Sequence, residues 1–175
     1  MKKLQETPSR HIIAVLVDNE FGVLARVIGL FSGRGYNIES LTVAEVASEK
    51  AESLSRITIV TSGSAKIINQ IKALLNRLVP VHEVRDMTDE GEFVERELAL
   101  IKVVGSGEKR VEVLRMAEIF RARVVDATPK SFVFEITGQP HKLDSFIDLM
   151  KPLGLIELSR TGVTAISRGM EKIGD

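Results

Sequence analysis

The chain has 175 residues, and its 24 Lys plus Arg are matched by 24 Asp plus Glu. That length holds one large domain or two small ones, and the balanced charge lacks the basic surplus expected of a nucleic-acid binder or a polybasic membrane-surface protein. Cysteine is absent, which removes disulfides, thiolate nucleophiles and thiolate-bound zinc together, and three histidines (His11, His82 and His141) leave little for a His-built metal site.

The polar lead, residues 1–10, has no apolar core of signal-peptide length. No stretch approaches the roughly 20 apolar residues of a membrane span, so a cytoplasmic chain is expected. Residues 11–18 (H-I-I-A-V-L-V-D) form a continuous apolar run of strand length, as in a central strand buried on both faces. From 22 to 33 the period changes: Val23, Leu24, Val27, Ile28 and Phe31 recur at helical spacing, and Gly33 and Gly35 supply the stop. Residues 37–46 read as a strand, 47–54 as a polar loop, and 55–61 as a strand with Ile57 and Ile59 on one face. The strongest helical pattern runs over 65–78, through Ile67, Ile68, Ile71, Leu74, Leu75 and Leu78, and is ended by Pro80. A short strand over 81–86 completes the order βαββαβ.

The polar stretch within 87–94 reads as a linker, after which the order repeats. Residues 95–104 are a strand, Gly105-Ser106-Gly107 a turn, 109–121 a helix, and 123–127 a strand. Residues 130–137 form a strand with Phe132, Phe134 and Ile136 alternating, 141–150 a helix introduced by Pro140, and 155–160 a last strand. The expected fold class is therefore α+β, two ferredoxin-like βαββαβ domains over 11–86 and 95–170, with a tail over 171–175. A unit of about 75 residues leaves one sheet face bare, so such domains are expected to pair and to place binding sites between plaits.

No G-x-S-x-G elbow, Walker P-loop or H-E-x-x-H motif is present, and no histidine has a sequence neighbour that would recruit it to catalysis. The Gly105 turn offers backbone amides to a phosphate, although an ordinary strand-to-helix turn has the same sequence. More informative is Asp18-Asn19-Glu20-Phe21-Gly22, where the first strand hands over to the first helix. A helix N-terminus presents unpaired amides and a positive dipole end to a small carboxylate. Gly22 lets a ligand approach the backbone, and the Asn19 amide can both donate and accept. Together these suit the carboxylate and ammonium of an amino acid. The same residues also fit simple helix capping. Asn37, beside Ile38, offers a second amide and an aliphatic wall in a paired plait, or else a turn residue.

The run N-E-F-G-V-L-A-R-V-I-G-L-F-S-G-R-G-Y-N-I-E-S-L-T-V over 19–43 resembles the small, regulatory subunits of acetolactate synthase (acetohydroxyacid synthase). Further matches lie at 54–59, 94–98, 120–121, 159–162 and 167–169, so the resemblance covers nearly all of 11–169. The polar extension through Arg10 and the loop around 47–53 depart from it. It implies an N-terminal ACT domain, the amino-acid-sensing plait, in a homodimer that binds branched-chain amino acids, chiefly valine. The implied ligand residues are Asn19, Gly22, Val23 and Leu24, with Asn37 and Ile38 from the neighbouring protomer. The implied partner is a large catalytic subunit carrying thiamine diphosphate, a magnesium ion and FAD, which this chain activates and subjects to valine feedback, with no cofactor, metal or catalytic residue of its own. Two alternatives remain at this point: a free-standing amino-acid sensor for another enzyme, and an enzyme with a phosphorylated substrate at the Gly105 turn.

Overall fold

A computed structural model of the chain describes residues 7–46 and 53–174. Most of the polar loop expected over 47–54, residues 1–6 of the extension and the last residue of the tail lie outside that description. Two compact units result, one comprising the chain up to Val94 together with the segment from Val163, the other Glu95–Gly162.

In the first unit the apolar run becomes β1 (Ser9–Asp18), whose residues 12–17 are all buried. It starts two residues earlier than expected because Ser9 and Arg10 still find ladder partners in Gly63 and Ser62. The amphipathic segments become α1 (Val23–Ser32) and α2 (Ala65–Leu75), which put Val27, Phe31, Ile68 and Ile71 on the sheet. The second helix is shorter than the apolar pattern, since the chain after Asn76 tightens into a turn in which Leu78 bonds back to Leu75. With β2 (Ser40–Val46), β3 (Leu54–Gly63) and β4 (Val81–Asp86) the sheet has the order β2-β3-β1-β4, all pairs antiparallel. This is the ferredoxin-like plait, with β1 and β3 central as their apolar content requires.

The second unit repeats the plan. Its strands β5 (Phe93–Val104), β6 (Arg123–Ala127), β7 (Ser131–Gly138) and β8 (Leu155–Arg160) follow the order β6-β7-β5-β8. Its helices are α3 (Glu108–Phe120) and α4 (Pro140–Met150). The core is richer in aromatic rings than the first: Phe146 lies edge-on to Phe134 at 6.2 Å between ring centres and 5.2 Å from Phe120. The Arg110 guanidinium sits 3.8 Å above the Phe132 ring, a cation–π contact. Arg160 donates from Nε and Nη2 to the two carboxylate oxygens of buried Glu97, at 2.8 and 2.6 Å, and from Nη1 to Asp144 at 2.6 Å. The paired carboxylates raise the Arg160 pKa, outweighing burial.

Two boundaries differ from the sequence reading. The stretch 87–94 is not a free linker. Met87 is buried, the Asp86–Glu90 turn is closed by the Glu90 N–H to the Asp86 carbonyl (3.0 Å), and Phe93 already begins β5. Residues 163–170, assigned from sequence to the second domain, return to the first, as do 171–174. They include a strand not foreseen, β9 (Thr164–Ser167). The cause is the outward face of the first sheet, where Ile12, Ala14 and Val60 need cover and receive it from Met87, Val163 and Ala165, with Phe93 and Ile173 alongside.

Candidate functional site

Helix α1 starts without a side-chain cap. Its first residue follows Gly22, at φ +82°, a left-handed position that a side chain would strain. No acidic residue occupies the first turn, and a Cβ built on Gly22 meets nothing within 4 Å. The intrahelical ladder opens with the Arg26 N–H on the Gly22 carbonyl (3.0 Å), which leaves the amides of Leu24 and Ala25 ahead of it without an intrahelical acceptor. Helix α2 solves the same problem internally, with the Ser64 side chain accepting from the Ile67 N–H. The positive end of α1 is thus open where that of α2 is closed.

Beside it Asn19 is firmly held. Its Nδ2 donates to Ser53 Oγ, its Oδ1 accepts from Ser55 Oγ, and its backbone N–H reaches the Ser53 carbonyl, each at 3.0 Å. Ser53 in turn donates to Glu45 at 2.6 Å. These bonds tie the end of β1 to the start of β3 and fix the Asn19 amide, one hydrogen and one lone pair of which remain for a ligand. Asp18 is turned away onto His82 (2.6 Å). A cleft of about 540 Å³, within the size range of small-molecule sites, borders Asn19, Glu20 and the fully exposed Phe21.

Of the other residues expected here, Val23 is buried in the core, so its backbone rather than its side chain faces the site, and Leu24 is half-buried against the same core. Asn37 and Ile38 are not brought to this place. The Asn37 carbonyl accepts from Thr61 Oγ1 at 2.7 Å, near the start of β2. Asn19 lies at the opposite end of the sheet, beside the Asp18–Leu54 pair and seven residues of β3 away from Thr61, about 23 Å at roughly 3.3 Å per residue.

The histidines are less isolated than their sequence positions imply. His11, itself buried, holds Asp86 through Nδ1 at 2.8 Å and Ser9 through Nε2 at 2.9 Å, while Asp86 Oδ1 accepts the Thr88 N–H. Asp89 completes a cluster whose ligand atoms lie within 4.8 Å of one another. Pairing of β1 with β4 unites residues 75 positions apart, which spacing along the chain conceals. At the Gly105 turn the Gly105 N–H is occupied by the Lys130 carbonyl (3.1 Å), and Glu108 puts a carboxylate in the first turn of α3. Both disfavour a phosphate. Among the described residues no helix is long and apolar enough to cross a membrane.

Residues 13–83 match the AHAS small subunit-like ACT domain, and residues 96–169 match the family described as the small subunit of acetolactate synthase. A probable acetolactate synthase small subunit of Archaeoglobus fulgidus is 48% identical over 163 residues, covering 93% of this chain and 99% of the relative. The chain belongs to the acetolactate synthase small-subunit family. The isozyme 3 small subunit of Escherichia coli is similar at 45% identity, over 91% of this chain and 96% of its own. Among solved structures the acetolactate synthase small subunit of Thermotoga maritima superposes with a TM-score of 0.80 at 38% identity, covering 92% and 98% of the two chains. Membership in this family makes the chain the small, regulatory subunit beside a separate catalytic chain, and sets aside both a phosphorylated-substrate enzyme and a sensor for an unrelated one.

Proposed function

We propose that the first unit binds valine or a related branched-chain amino acid between two copies of this chain, and that occupancy sets the activity of the catalytic subunit. The observation that carries this reading is the uncapped N-terminus of α1: Gly22 leaves open space, no first-turn carboxylate neutralises the dipole, and a fixed Asn19 amide stands beside it. A ligand carboxylate accepts from the first-turn amides, and Asn19 meets its ammonium or second oxygen.

The second half of the site comes from a homodimer. Strand β2 is a sheet edge, with β3 as its ladder partner. Its end at Val46 faces Leu54, next to Asn19, and its start follows Asn37 and Ile38. A two-fold axis through paired β2 edges exchanges those ends and carries Asn37 and Ile38 of one copy to Asn19 and Gly22 of the other. Ile38 then walls in the aliphatic side chain. Valine inhibits because it binds two states of the assembly unequally, by fixing the angle between the paired units. The catalytic chain, in the cytoplasm, carries thiamine diphosphate, magnesium and FAD; no residue of this chain is assigned to them.

A thermal-shift titration of the purified chain with valine, leucine, isoleucine and an unrelated amino acid tests the site. Ligand at about 100 times its dissociation constant adds roughly 2.7 kcal/mol, several degrees of midpoint. The shift with valine should vanish in Asn19→Ala. An equal shift in that variant would remove Asn19 from the site.

A further inference from the structure

The segment after Gly162 takes no part in the site described above, yet it grips the strand that leads out of Asn37 and Ile38. As an edge strand, β2 has ladder bonds on one side, and its approach is fastened by the Glu39 N–H to the Val60 carbonyl (2.8 Å) and by Thr61 Oγ1 to the Asn37 carbonyl (2.7 Å). Two more fasteners come from the returning chain. Ser40 Oγ accepts the Val163 N–H at 2.8 Å, and Thr42 Oγ1 donates to the Val163 carbonyl at 3.2 Å. Both polar groups of one backbone residue are therefore taken by side chains of β2. Val163 itself is buried on the outer face with Ile12, Ala14 and Val60. The chain then crosses to the far edge: Arg56 Nη2 on β3 donates to the Ala165 carbonyl (2.6 Å), and the Gly174 N–H donates to Glu83 on β4 (2.7 Å).

We propose that residues 163–174 are a clamp that sets the position of β2 and, through it, the affinity of the amino-acid site, with Ser40 and Thr42 as positioning residues that touch no ligand. The proposal rests on the reading of the Asn19–Gly22 site given above and adds a control on it. An interfacial site is tight only if both halves are held in place before the ligand arrives, and the half contributed by Asn37 and Ile38 is anchored two residues from Ser40. Loosening the hydroxyl contacts frees the start of β2 without touching Asn19, Gly22 or the core.

The test is calorimetric titration of the full-length chain with valine, on wild type, the double variant Ser40→Ala/Thr42→Val, and Thr42→Ser. The double variant keeps the shapes and removes both hydroxyls. It should bind valine roughly tenfold more weakly, and Thr42→Ser, which keeps its hydroxyl, should bind as tightly as wild type. A structural role alone would shift the ligand-free melting midpoint and leave affinity unchanged, so equal affinity in the double variant overturns the proposal. If the double variant does not melt cooperatively, the single variants Ser40→Ala and Thr42→Val are read instead, each expected to lose about threefold, and no loss in either overturns it. Absence of valine binding by wild type would overturn the site reading itself, and the clamp's role with it.

Discussion

Replacing Gly22 separates strain from charge at the N-terminus of α1. Gly22 sits at φ +82° with open space around the missing Cβ, so Ala meets no clash and suffers only the left-handed backbone, about 1–2 kcal/mol. Asp tolerates that conformation better than Ala, and its charge at the positive helix end returns about 0.3–1 kcal/mol. Gly22→Asp should therefore melt above Gly22→Ala, by several degrees if the gap approaches 1 kcal/mol. For valine the order reverses. The new carboxylate takes the first-turn amides and repels the ligand's own; two charge-assisted hydrogen bonds at about 1.5–3 kcal/mol each correspond to a loss of at least roughly 100-fold. Thermal melting and calorimetric titration of both variants read the two effects independently. If Gly22→Asp bound valine within about tenfold of Gly22→Ala, the carboxylate would not sit at this helix end.

Three further outcomes follow from the remaining geometry. Arg160→Ala leaves the Glu97 carboxylate buried and unpaired; because Arg160 is itself partly exposed, the cost should fall below the 3–5 kcal/mol of a fully buried pair, at about 2–3 kcal/mol in denaturant unfolding. Arg121 holds φ +56° at the C-terminal end of α3, so Arg121→Gly should stabilise the chain by roughly 0.5–1 kcal/mol, seen as a raised melting midpoint. Burial acts to raise the Glu90 pKa, but the hydrogen bond and charge of Lys72, with the Asp86 backbone and Arg85, hold it below its ordinary 4.5. A carboxyl depressed by folding contributes stability above its ordinary value and loses it as pH falls through the folded value. Glu90→Gln should thus be less stable than wild type at pH 7, with the difference shrinking as pH falls below the ordinary carboxyl value when melting is followed against pH.

Elements with one strong period were legible in the sequence. The run I-I-A-V-L-V announced a strand buried on both faces, and Val23, Leu24, Val27 and Phe31 announced α1 with its inward side, although Ile28, read on the same stripe, is exposed and Leu30 is buried in its place. The return of the chain to the first sheet was not legible. Strand β9 is four residues long and turns only Ala165 inward, with Val163 buried just ahead of it; the sole trace is the alternation of those two with Thr164 and Ile166 after Gly162. What β9 covers is set by a sheet face built from Ile12, Ala14 and Val60, far earlier in the chain, which periodicity does not report. At the candidate site the residue types at Asn19 and Gly22 were readable. The engagement of Asn19 with Ser53 and Ser55, and the absence of a cap on α1, depend on contacts 34 to 36 residues distant. The pairing of His11 with Asp86 escaped notice for the same reason.

The amino-acid switch proposed for this chain acts on an enzyme whose chemistry resides on another polypeptide. It is tested most directly by assaying purified acetolactate synthase catalytic subunit alone, with the wild-type chain, and with Asn19→Ala, each across a valine titration. Either chain should raise the activity, valine should then lower it with wild type, and valine should have no effect with Asn19→Ala. Equal inhibition with both chains, or inhibition of the catalytic subunit alone, would contradict it.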